Sequence, residues 1–306
     1  MAKKQNKIVR FTQEVLSKPH LISKNSFNNI TSYLDNRNKG LLMKPNKNYE
    51  EDGEDCDGEE YATESSEDSY KIASGIGVID ISGTLTNKPV ETECGEIGIS
   101  YQRILEATEE IIESGVKTII LNISSGGGEA YNCFDSVNAF RKMCDEAGIY
   151  VYTYVDECAA SAAYAWACAA DEVICHPMAE VGSIGVLVCL TDYSKAMEQE
   201  GIKVIYIFAG ENKVPYADDG SFKQAFIDEL QSKVDILYEG FVKHVSDYTG
   251  ISSDVIKATQ ASTFIANEAL SLGLINKIMN YEEFTEYIVS MQKPEMPSKF
   301  EGLNDD

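Results

Sequence analysis

A serine set among small residues, Cys158-Ala-Ala-Ser161-Ala-Ala-Tyr164, and a lysine in Gly210-Glu-Asn-Lys213 are the residues of this sequence whose types best suit chemistry. A serine hydroxyl is a weak nucleophile until an adjacent base takes its proton, and an amine can do this when it is uncharged. Burial in an apolar site favours the uncharged amine. The run Lys203-Val-Ile-Tyr-Ile-Phe208, β-branched and aromatic, is expected to form a buried strand that delivers Lys213 to such a site. The chain has 3 histidines, none well placed, so the pair points to a serine hydrolase run by a Ser-Lys dyad.

Two further stretches could complete the site. Leu121-Asn-Ile-Ser-Ser-Gly126-Gly127-Gly128 follows an apolar strand and precedes a helical pattern. Glycines at such a turn let the backbone approach a ligand and aim amide N–H groups at it, and donors aimed at a developing oxyanion are each worth roughly 10²–10³ in rate. Without a ligand the same glycines would be only a tight turn. In Val181-Gly-Ser183-Ile-Gly-Val186, small residues surround a hydroxyl that could hold the lysine amine, or the stretch could simply be a glycine-punctuated strand.

The elements that must position these residues read as repeated strand-helix units. Strands are expected at 76–81, 117–123, 149–155, 172–175, 185–190 and 204–208, alternating with helices at 101–114, 130–147, 161–170 and 192–198. This alternation argues for a layered α/β fold with a mainly parallel sheet. Ser161 would open a helix whose positive N-terminal end favours an anionic intermediate. A long amphipathic helix over 222–248 carries Phe226, Leu230, Val234, Leu237 and Phe241 on one side, and a shorter one follows Ser252, giving a C-terminal helical layer for packing and assembly.

Taken together, Ser-Ser-Gly-Gly-Gly, Ala-Ala-Ser161-Ala-Ala-Tyr, Val-Gly-Ser183-Ile-Gly-Val and Ala-Gly-Glu-Asn-Lys213, in this order, resemble the signal peptide peptidase A family of serine peptidases. Within it the chain is most similar to the capsid-assembly (prohead) proteases of tailed phages, through Pro19-His-Leu-Ile, Gly83-Thr-Leu, Val245-Ser-Asp-Tyr-Thr-Gly-Ile251 and Ala266-Asn-Glu-Ala-Leu-Ser-Leu-Gly273. The resemblance implies Ser161 as nucleophile, Lys213 as general base and Ser183 as the hydroxyl that orients the lysine. It also implies oxyanion donors on the backbone of Gly127 and Ala162, with Gly126 and Gly128 lining the substrate. The implied fold is the spiral of ββα units shared by Clp-type proteases and crotonases. The family often has proline where this chain has Ser125 and glycines where it has Ala162 and Ala163. Both departures keep the amides, although the alanine methyls could narrow the cleft.

Charge falls in blocks. Residues 1–49 hold ten Lys or Arg against Glu14 and Asp35, whereas 50–68 hold eleven acids and no base. The expected organisation is a basic arm over 1–49, an acidic linker over 50–70, a peptidase domain over 71–292 and a tail over 293–306. A net charge of −24 argues against a nucleic-acid enzyme. Asp55-Cys-Asp57-Gly58 is not a calcium loop, because Gly53 stands where the first ligand belongs. The 8 cysteines are scattered without metal-like clustering, which favours reduced, buried thiols in a cytosolic protein. No apolar leader and no membrane-length apolar run is present. No metal or cofactor is expected.

The resulting expectation is a serine endopeptidase that cleaves scaffold or capsid proteins, with its own N-terminal arm as a further candidate substrate, inside an assembling procapsid in the host cytoplasm, as a homo-oligomer. Alternatives stay open: a cellular signal-peptide-peptidase-like enzyme, a crotonase-fold acyl-CoA enzyme or a non-catalytic scaffold. A Clp-type Ser-His-Asp site would need a histidine near position 184, where there is none, and His176 comes too soon.

Overall fold

A computed structural model of the chain describes residues 20–22, 70–92, 95–96 and 98–292. The expected arm, linker and tail fall outside them, apart from residues 20–22 and 70. In chain order the strands are β1 (His20–Ile22), β2 (Tyr70–Ala73), β3 (Ile76–Ser82), β4 (Leu85–Thr86), β5 (Glu91–Thr92), β6 (Gly95–Glu96), β7 (Ile99–Ser100), β8 (Thr118–Ser125), β9 (Gly127–Glu129), β10 (Tyr150–Ala160), β11 (Glu172–Cys175), β12 (Glu180–Gly182), β13 (Thr263–Ile265) and β14 (Lys277–Ile278). The helices are α1 (Tyr101–Glu113), α2 (Cys133–Ala147), α3 (Ala162–Ala167), α4 (Ser194–Gln199), α5 (Gln224–Thr249), α6 (Ser253–Ala258), α7 (Ala266–Leu272) and α8 (Tyr281–Met291).

The fold is α/β, and its main sheet runs β13-β12-β10-β8-β3-β2, with β11 beside β10 and β14 beside β11. The pairs β3/β8, β8/β10, β10/β11, β10/β12 and β11/β14 are parallel, as the strand-helix alternation predicts. The β2/β3 and β12/β13 pairs at its margins are antiparallel. A smaller sheet, β1-β9-β4-β7, begins where β3 and β8 leave the main sheet. Both faces of the main sheet are covered, which is why β8 and β10 are nearly continuous apolar runs. Ile119, Leu121, Ile123, Val151 and Val155 join the principal core, whereas Ile120, Tyr152 and Tyr154 point the other way onto Phe284 and Ile288 of α8. This is the period of two along a strand meeting the i, i+4 spacing of a helix.

At the centre lies α3, all six of whose residues are buried. Its Tyr164 hydroxyl donates to Leu274 O at 2.8 Å, and Trp166 packs on Tyr101 and Phe140. Such a short helix supports little macrodipole, so the expected dipole contribution beyond Ser161 is small.

Two expected strands are corrected. Residues 185–190 and 204–208 form no strand, and the second segment is not buried: Ile205 is 74% and Ile207 97% exposed. A β-branched run needs a free sheet edge, and the outer edge of β12 is already taken by β13. The segment is held by rings instead, with Tyr206 stacked on Tyr216, Tyr216 against Phe222, and Phe222 on Phe226. The long amphipathic helix exists as α5, but among its residues only Phe241, Val242, His244 and Val245 are buried, all in its second half.

Candidate active site

Ser161 stands at the exit of β10 and Ser183 at the exit of β12. The parallel register pairs Ala160 with Gly182, so the two serines follow directly from facing residues. The Ser161 N–H donates to Gly182 O at 2.8 Å, and the Ser183 N–H donates to Ser262 O at 2.8 Å. Ser161 is fully buried with φ 57° and ψ −119°, and Ser183 is nearly so with φ 53°. Positive φ is costly for a residue with a Cβ and persists only where the surroundings over-determine it. Of the six such residues among those described, four gather here: Ser161, Ser183, Gln260 and Ala261. The Ser161 hydroxyl has one long contact, donating to Gly185 O at 3.5 Å. A weakly held hydroxyl on a strained, rigid support is available to a base.

The glycine stretch lies beside it. Ala159 pairs with Ser125 at the end of β8, and α3 packs against β9. Gly128 accommodates β4, because a Cβ there would stand 1.8 Å from Leu85 O. The Gly127 amide, which the resemblance marks as an oxyanion donor, donates to Ser125 Oγ at 3.1 Å, and Ser125 Oγ in turn donates to Gly83 O at 2.6 Å. The serine that replaces the family's proline therefore competes for that amide. Ala162, first in its helix, has an N–H with no intrahelical acceptor.

Lys213 is not brought to Ser161. It ends a 3-10 turn over Glu211–Lys213, is exposed, and among the described residues its amine makes no hydrogen bond or ion pair. The loop is fastened by Lys223, whose Nζ donates to Val214 O at 2.9 Å and to Glu211 O at 3.3 Å. With residues 203–208 exposed, the expectation of a buried strand delivering Lys213 does not hold in the single chain.

Sequence reasoning overlooked His244. Buried on α5 against Phe134 and Tyr248, its Nε2–H donates to Ala165 O at 3.0 Å, which fastens α3 from behind. Burial pushes its imidazole below the usual histidine range, against the opposing pull of the Ala165 carbonyl and of Asp247. The signal was its spacing from Phe241 and Val245 on one helical face. His176 accepts from the Met178 N–H at 3.2 Å and does not bond to Ser161. Burial pushes the Cys158 thiol up to about 11 and the Cys168 thiol higher still, so both flanking cysteines are poor nucleophiles. Among the described residues no three His, Cys, Asp or Glu gather as metal ligands, and no helix is long and apolar enough to cross a membrane. A cavity of about 450 Å³ lined by Asn87, Gln102, Tyr131, Asn132 and Ser136 includes none of the serines or glycines above.

Residues 144–293 match Peptidase family S49. Capsid assembly protease C of Escherichia phage lambda is 29% identical over 217 residues, 69% of this chain and 48% of that protein. Head-tail preconnector protein GP5 of Enterobacteria phage P21 is 26% identical over 214 residues, 69% of this chain and 42% of that protein. Among solved structures, a ClpP1 mutant from Listeria monocytogenes aligns with a TM-score of 0.43 at 15% identity, over 67% of this chain and 93% of that one. The chain spans about half the length of these two phage relatives. The segment that matches Peptidase family S49 is the one that carries Ser161, Ser183 and Lys213.

Proposed function

We propose that the chain is a serine endopeptidase in which Ser161 is the nucleophile, Lys213 the general base and Ser183 the hydroxyl that orients the lysine. The observation that carries this reading is Ser161 itself: a buried serine in strained geometry, fixed by its main chain to Gly182 and almost free at its hydroxyl. Uncharged Lys213 takes the Ser161 proton as Oγ attacks a peptide carbonyl, and the oxyanion forms against the Gly127 and Ala162 amides. The C–N bond then breaks as the lysine returns the proton to the departing amine. Water, deprotonated by the same lysine, releases the acyl group and restores the hydroxyl. For Gly127 to serve, its amide must leave Ser125 Oγ as the oxyanion arrives.

An exposed lysine cannot do this alone, so the site is proposed to be completed by a second copy of the chain. The exposed apolar run 202–208 and the uncovered first half of α5 support association, and burial there would remove water from Lys213. Scaffold and capsid proteins are the proposed substrates, following the names of the lambda and P21 relatives, with an assembling procapsid as the setting and 71–292 as the peptidase domain.

The test is intact-mass analysis after co-expression with candidate scaffold and major capsid proteins. Wild type is expected to trim them, and Ser161→Ala and Lys213→Ala to leave them whole. Unchanged trimming by Ser161→Ala would refute the proposal. Mixing the two variants distinguishes a dyad within one chain from one shared between copies, since only the shared form regains activity.

A further inference from the structure

The strand β1 lies against the site. It pairs antiparallel with β9 in the register His20 with Glu129, Leu21 with Gly128 and Ile22 with Gly127. The opposite edge of β9 is taken by β4 through Leu85 and Gly128, so β9 has one edge to offer an added strand, and β1 holds it. Two of the three residues of β9 are glycines, and Gly128 cannot gain a Cβ without meeting Leu85 O. That edge therefore recognises main chain rather than side chains, which is how a sheet edge accepts extended peptides of varied sequence.

The direction of β1 matters as much as its place. Running from His20 to Ile22, the backbone advances along β9 toward Gly127, the amide assigned above to the oxyanion. Next to Gly127 stand α3 and the end of β10, from which Ser161 rises. An extended peptide presenting its carbonyl to Gly127 would follow the same path in the same sense. Only three residues are paired, and the long connection from Ile22 to Tyr70 adds little closure cost per residue, so the strand is tethered rather than locked.

We infer that His20–Ile22 is an occupant in cis of the peptide-binding strand, and that substrate enters as an extended segment that replaces β1 on β9. The inference rests on the reading that Gly127, Ala162 and Ser161 form the reaction site. A protein whose binding-competent form is a minor fraction shows an affinity reduced by that fraction, so β1 sets how readily any peptide is admitted.

The test uses the full-length chain with Ser161→Ala, so that binding is read without turnover, and a fluorescein-labelled synthetic peptide of residues 16–26. Adding Leu21→Pro removes a backbone donor from β1 and is expected to tighten peptide binding by about tenfold. Equal affinity in a variant with unchanged circular dichroism and melting would overturn the inference. Hydrogen exchange on the chain without the proline stands independently of how that variant folds. Saturating peptide is expected to raise exchange at 20–22 while 127–129 stay protected, and unchanged protection of 20–22 would overturn the inference. Failure of the dyad is read elsewhere, in the trimming assay, because neither binding measurement needs catalysis.

Discussion

Replacing Gly182 with alanine tests whether the strained support beneath Ser161 is what holds the site. Gly182 has φ 118°, its carbonyl accepts the Ser161 N–H, and a Cβ there would stand 2.7 Å from Ser262 O. The backbone penalty for a side chain in such a region is roughly 1–3 kcal/mol. The overlap involves a backbone oxygen that cannot rotate away, and overpacking of that kind costs a further ~1–3 kcal/mol. Gly148→Ala is the control: φ is 63°, the space is open, and only the left-handed penalty of about 1–2 kcal/mol applies. Urea unfolding should therefore show Gly182→Ala losing more stability than Gly148→Ala, by about the overlap term. The β12 shift should also pull Ser161 from its place, and small misplacement of a reacting group can lower rate by roughly 10²-fold. Labelling of Ser161 by a fluorophosphonate, followed by mass, reads this directly. If the two variants lose equal stability and Gly182→Ala labels at the wild-type rate, the supporting role assigned to the β12–β13 contact is wrong.

Two other outcomes follow from the geometry. His244→Ala should lose about 1–3 kcal/mol, because the buried Ala165 carbonyl keeps only the weak Cys168 thiol donor at 3.4 Å. Since folding depresses the His244 pKa, the unfolded chain binds the extra proton first, so this residue costs the protein stability as pH falls below the unfolded value of about 6.5. Wild type should accordingly lose more melting temperature than His244→Gln between pH 7.5 and 5.5, and equal losses would remove His244 as the cause. Ile205→Asp with Ile207→Asp should lower the sedimentation mass while changing monomer stability by only about 0.5 kcal/mol, as expected for exposed positions; an unaltered mass would show that this run is not the contact between copies.

What could be read from the residues alone was whatever depends on local pattern. The apolar runs of β3, β8 and β10 declare buried parallel strands, and Tyr101, Ile104, Ala107 and Ile111 declare one face of α1. Ser161 and Ser183 stood out because small neighbours and glycines are needed wherever backbone passes this close to backbone. The failures have equally local causes. Residues 203–208 have strand composition, yet among the described residues they pair with no strand, and composition carries no information about which partner is within reach. The β13, α7, β14 and α8 elements are short, and their purpose, closing β12 and covering Tyr152 and Tyr154, is set by contacts between residues far apart in the chain. The grip of Ser125 on the Gly127 amide depends on a rotamer, which no spacing reveals.

The single tryptophan, Trp166, sits five residues beyond Ser161, wholly enclosed between Tyr101 and Phe140. The indole emission of this protein thus comes from one residue, on the very helix that follows Ser161. A change in that emission on heating, ligand addition or assembly reports on that helix, so an optical cuvette can follow the packing directly behind Ser161.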